Sequence, residues 1–161
     1  KNNENIIINN NNINYTINKD YIQISGYIKQ KLTNTIHNNK LITINLDDLN
    51  IENNILKYII EYLNHHKGIF IKRIPSPIPD DSNTMFDIIQ KNENLQKNNI
   101  NEWDVNFINE IDNNNINKLL IVSENLNIKS LVNLIVVKLA MDFKNNSNDT
   151  ITNFLKSKLN L

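Results

Sequence analysis

The adjacent pair His65-His66 is the part of this 161-residue chain that most invites a chemical reading. Imidazoles bind metals and carry protons near neutral pH. On a helix, however, neighbouring side chains diverge by about 100°, so the two rings do not converge on one ion. The chain has no cysteine, and no set of His or acidic residues recurs at ligand spacing. A place near a helix C-terminus explains the pair more simply, because the helix dipole favours His there. Ser76 and Ser123-Glu124 sit in no nucleophile elbow. Asp47-Asp48 and Asp80-Asp81 are adjacent acids in expected loops, where solvation is the default. With only Gly26 and Gly68 as glycines, there is no Gly-rich phosphate loop. The sequence therefore points to no catalytic residue, no metal and no cofactor.

The elements that position these residues are legible from periodicity. Ile6-Ile7-Ile8 and the alternating Ile13-Asn14-Tyr15-Thr16-Ile17 predict a hairpin turning at Asn9 to Asn12, since Asn tolerates positive φ. Asp20 is the expected cap of the next segment, in which Tyr27, Ile28 and Leu32 give a short helical face. Leu41 to Leu46 alternates as a third strand. A helix from Asn53 or Asn54 to His66 carries Ile55, Leu56, Ile59, Ile60, Tyr62 and Leu63 on one broad face, with Gly68 as its C-cap. The fold class is α/β, a small sheet with helices followed by C-terminal helices.

Residues 71–100 contain all three prolines and read as a variable loop, of which Pro75–Asn98 is expected to be dispensable for folding, with Met85-Phe86-Asp87-Ile88-Ile89 as a short apolar anchor. Beyond it, Trp103 and Phe107 share a helix face, as expected of an aromatic staple. The Ile128–Phe143 helix is apolar nearly all round, so it buries more than one side. Taken alone, these residues fit either a helix covered within its own domain or one that awaits a partner.

Composition narrows the function classes. Lys plus Arg equals Asp plus Glu at 17 each, so no basic patch is offered to nucleic acid or to an anionic membrane. No apolar run reaches the roughly 18 residues of a membrane helix. The absence of cysteine suits a reducing compartment. Asparagine makes up about a quarter of the chain, well above ordinary usage, and dilutes the surface signal.

The order of motifs resembles the S-phase-kinase-associated adaptor family, BTB/POZ-fold proteins that join F-box proteins to a cullin. Trp103-Asp104-Val105-Asn106-Phe107 matches the family's Trp-Asp-x-x-Phe entry. Leu126-Asn127-Ile128-Lys129 matches its Leu-(Asp/Asn)-Ile-Lys junction between two apolar helices. Ser25-Gly26-Tyr27-Ile28-Lys29-Gln30-Lys31-Leu32 is similar to its serine-started helix, and Ile55-Leu56-Lys57 through His65-His66-Lys67 to another. The resemblance implies a BTB/POZ core whose N-terminal part is residues 1–70. A variable loop at 71–100 and C-terminal helices at 101–161 would come after it. It implies an F-box-type docking groove at Ile116, Val132, Val136, Leu139 and Phe143, and a cullin-facing pair at Glu124 and Asn125.

Three departures modify that expectation. Asn117 stands where the family has Phe. Glu124-Asn125 replaces the family's Asn-Tyr, which removes an aromatic anchor of the type worth roughly 2 kcal/mol or more. Ser147-Asn148-Asp149-Thr150 replaces a Thr-Pro-Glu-Glu helix start, with Ile151, Phe154, Leu155 and Leu159 as the face of that helix. The expected role is a non-catalytic adaptor linking an F-box-like protein to a cullin-type ubiquitin ligase. The alternative is a structural subunit of another assembly that has lost cullin binding. A homodimer through a face around Ile28 and Leu32 is a third expectation. The cytoplasm or nucleus is the expected setting, and a chain starting at Lys1 leaves room for an organelle reached through a removed targeting segment.

Overall fold

A computed structural model describes residues 4–35, 41–71, 84, 85, 87 and 100–145. The architecture is mixed α/β, a three-stranded sheet with helices and then further helices. Strands β1 (Asn5–Asn10) and β2 (Ile13–Asn18) form the predicted antiparallel hairpin. Its turn is Asn11-Asn12, at φ 49° and 63°. Two successive left-handed residues make the turn whose twist suits a tight hairpin, and Asn enters that region more readily than most side chains.

Strand β3 (Thr43–Asn45) pairs with β1 in parallel, giving the order β2-β1-β3. It is shorter than the expected Leu41–Leu46 strand. The Asn45 side chain accepts from the Asp47 N–H at 2.7 Å, and this local turn diverts the chain into a 3-10 turn at Asp47–Leu49. Ile6, Ile8, Ile17 and Ile44 all face the core.

Asp20 does not cap a helix. It is itself helical in backbone and makes no side-chain cap bond, and a 3-10 turn (Tyr21–Ile24) comes next. The cap of α1 (Gly26–Asn34) is Ser25, whose extended backbone aims its Oγ at the Ile28 N–H, 3.2 Å away. Helix α2 (Asn53–His66) buries the whole expected face from Ile55 to Leu63. It ends at Lys67 and Gly68, both at positive φ. Gly68 is further constrained by space, because a Cβ there would lie 2.3 Å from the Asp20 carbonyl oxygen.

Two expectations change. Ile28 and Leu32 are core residues, so a second copy has no access to them as a pairing face. Met85 is buried in that same core, so the Pro75–Asn98 segment supplies an anchor and is not dispensable as a whole. Phe86, Ile88 and Ile89, the proline run, and the Ser147 to Leu159 segment lie outside the described residues.

Candidate interaction surface

The C-terminal part is built from α3 (Glu102–Asn109), α4 (Asn113–Asn125) and α5 (Lys129–Asn145). Asn101 starts α3 with a reciprocal cap. Its side chain accepts from the Asp104 N–H at 3.2 Å, and Asp104 Oδ2 accepts from the Asn101 N–H at 2.9 Å. The other oxygen of Asp104 accepts from His66 Nε2 at 2.9 Å, with the two side chains 0% and 6% exposed. A carboxylate this deep needs all of these partners.

Trp103 stacks on His65 at 3.7 Å between ring centroids and 3° between planes. It also stacks on Phe107 at 4.9 Å. Burial and the neighbouring His66 hold the His65 pKa below its ordinary value. Burial raises the Tyr62 phenol above its usual 10.0. The expected aromatic staple is present, and the two histidines divide their work: His65 stacks, while His66 ties α2 to Asp104. The sequence pattern offered no signal for the His66–Asp104 pair, which joins residues 38 apart.

Helix α4 starts at Asp112, which accepts from the N–H groups of Asn114 and Asn115 at 3.0 Å each. These bonds hold its carboxyl below the usual range, the one from Asn115 foremost. The helix stops at Leu126, and Asn127 turns the chain at φ 51° before α5 begins. The break at Leu-Asn-Ile-Lys is thus a left-handed turn carried by Asn. The start of α1 docks on this break. Ser25 Oγ donates to the Leu126 carbonyl at 2.7 Å. The Tyr27 and Gly26 N–H groups donate to the Leu126 and Asn127 carbonyls at 3.2 Å each. Gly26 leaves room for the Asn127 side chain, since a Cβ there would lie 2.4 Å from Asn127 Nδ2 and make that side chain shift.

Helix α5 fills the core with Leu131, Leu134, Ile135 and Met141. Its other side carries Val132, Val136, Leu139 and Phe143 at helical spacing. Val136 is 50% exposed, while Val132, Leu139 and Phe143 are half-buried. A cleft of about 520 Å³ opens at the head of this stripe, lined by Glu124, Asn127, Ile128, Lys129, Val132 and Asn133. Glu124, expected to face a cullin, and Val132, expected in the groove, therefore share one cleft. Asn125 is exposed nearby in sequence but does not line it.

Ile116 departs from expectation. At 2% exposure it is a core residue of α4 and is not open to a partner. Asn117 is half-buried, and its side-chain amide donates to the Asn113 carbonyl at 2.7 Å. The chain matches no known protein-family model and no curated protein sequence. The adaptor resemblance accordingly rests on the motif residues and their order.

Proposed function

We propose that this chain is a non-catalytic adaptor of the S-phase-kinase-associated, BTB/POZ type, which presents an F-box-like protein to a cullin-type ubiquitin ligase. The observation that carries this reading is Val136, half-exposed in the middle of an apolar stripe on a helix whose opposite side already fills the core. A helix spends valine on solvent at little cost when a partner covers it. Val132 and Leu139, both partly buried, extend the stripe to about two turns for an amphipathic helix laid in a groove. The setting of such an adaptor is the cytoplasm or nucleus, and its process ubiquitin-dependent protein catabolism.

The polar, exposed pair Glu124 and Asn125 favours a second reading, a structural subunit of another assembly with the cullin contact gone. A charge that must stay solvated and a small amide offer little apolar area to a scaffold helix. One binding series separates the two. An F-box-type helical peptide binds the chain in either case, and Val136→Asp weakens it by at least about tenfold. A conventional cullin N-terminal domain binds weakly, and Glu124→Asn with Asn125→Tyr strengthens it if the adaptor surface persists. No gain from the double change selects the structural subunit, and no peptide binding at all removes both.

A further inference from the structure

The two edges of the sheet are treated differently. The β3 edge is three residues long, and Lys31 Nζ covers it by donating to the Asn45 carbonyl at 2.9 Å and to Asp48 Oδ1 at 2.7 Å. Short length and a lysine are common protections of a free edge. The β2 edge has neither. Ile13-Asn14-Tyr15-Thr16-Ile17-Asn18 contains no charge, no proline and no glycine, and is rich in strand-forming residues.

The hydrogen-bond pattern says which groups this edge presents. The Lys19 N–H donates to the Glu4 carbonyl, so the pair Glu4–Lys19 is bonded, and alternation makes Ile6–Ile17, Ile8–Tyr15 and Asn10–Ile13 the bonded pairs above it. The odd-numbered residues of β2 therefore spend their main chain on β1. The even-numbered residues, Asn14, Thr16 and Asn18, aim their N–H and C=O groups away from the sheet. Among the described residues, Asn14 and Thr16 have no main-chain partner on that side. Both are exposed, and Ile13 beside them is 42% exposed.

We infer that β2 is a self-pairing edge, which joins a second copy of this chain by antiparallel β2–β2 pairing centred on Thr16. Complementarity selects the occupant. An antiparallel two-fold centred on Thr16 sets Thr16 against its own copy and Asn14 against Asn18 of the second copy. All three outward-facing residues then exchange both main-chain bonds. Centring on Tyr15 engages only Asn14 and Thr16 within the strand, and centring on Asn14 engages only itself. The Thr16 centre also sets Tyr15 against Ile17 on the core side, an aromatic–β-branched pair of the kind that stabilises sheets. The two three-stranded sheets become one six-stranded sheet, and the two-fold closes the edge against further growth.

Sedimentation velocity on the whole chain tests this. At about 100 µM, a concentration that populates small transient interfaces, the dimer is the majority species. Thr16→Lys and Thr16→Asp each place like charges opposite one another, and each reduces the dimer to below about a tenth. Mixing the two variants in equal amounts restores it. Circular dichroism checks that both stay folded. Hydrogen exchange on the unaltered chain needs no substitution: the Asn14, Thr16 and Asn18 amides gain protection as concentration rises, while those of Ile13, Tyr15 and Ile17 are protected throughout. A monomer at every concentration overturns the inference. So do open-ended assemblies, a mixture that stays monomeric, or outward amides indifferent to concentration.

Discussion

The seam between α2 and α3 and the outer stripe of α5 are made of similar material put to opposite use. At the seam, Tyr62, His65, Trp103 and Phe107 stack on one another, and the one buried carboxylate has His66 and the Asn101 N–H as partners. That carboxylate is satisfied within the chain. On α5, Val136 is left half in solvent, flanked by Val132 and by Leu139, which packs in part against the core. Apolar content therefore does not distinguish a covered seam from an open stripe. What distinguishes them is whether neighbouring elements close over the side chains.

If the seam is internal structure, its substitutions must act on stability. Among the seam residues, Phe107→Ala is expected to have the largest effect. Phe107 is 5% exposed and packs against Tyr58, Tyr62 and Trp103. Loss of a buried ring costs about 3–5 kcal/mol, which is a large share of a small domain's stability. Urea unfolding measures it, and a loss under about 1 kcal/mol would mean that the stack is ornamental. Asp104→Ala should rank second at about 2–4 kcal/mol, because it removes one half of the reciprocal cap and leaves His66 buried without its acceptor. The Asp104→Asn variant keeps one acceptor for His66, so it should recover part of the loss.

A smaller effect comes from pH. The folded chain holds His65 below its ordinary pKa of 6.5, mainly through burial and secondly through His66. The unfolded chain therefore binds more protons in that range, and stability rises with pH. The His65 contribution is complete above about pH 6.5 and is lost as pH falls through the depressed folded value. His65→Gln should flatten that part of the stability profile below about pH 6.5 while preserving much of the stack on Trp103. An unchanged slope would place the sensitivity elsewhere.

How much of this was legible depends on which signals are local. The α2 face was readable because six apolar residues repeat at helical spacing against a polar background. The hairpin was readable because Asn9 to Asn12 interrupts two apolar runs. Asparagine proved more informative than its abundance suggests. Asn11, Asn12, Asn50 and Asn127 all occupy left-handed backbone, in a chain with only two glycines. Ser25 bonding to Leu126 was not readable, since it joins residues 101 apart and depends on how α1 meets the α4–α5 break. Ile116 was misplaced for a related reason: its burial is set by how α4 packs on its neighbours, not by α4's own sequence. In α5 the signal is weak. Apolar residues stand on most sides of the helix, so periodicity separates Ile135 from Val136 by face but does not say which face the chain itself covers.

That adjacent pair holds the smallest expected effect, at Val136, beside a control expected to fail at Ile135. Ile135 is 0% exposed and Val136 is 50% exposed, on one helix and with nearly the same side chain. Ile135→Asp buries an unpaired charge and should unfold the domain, since the group can neither reach water nor find a cation. Val136→Asp puts the same carboxylate at the surface, where substitutions usually stay within about 0.5 kcal/mol. Its urea midpoint should match that of the unaltered chain. If it does, any binding lost in Val136→Asp is a loss at the surface itself. If Val136→Asp instead loses several kcal/mol, the stripe is closed by the chain's own residues, and the contrast with the α2–α3 seam disappears.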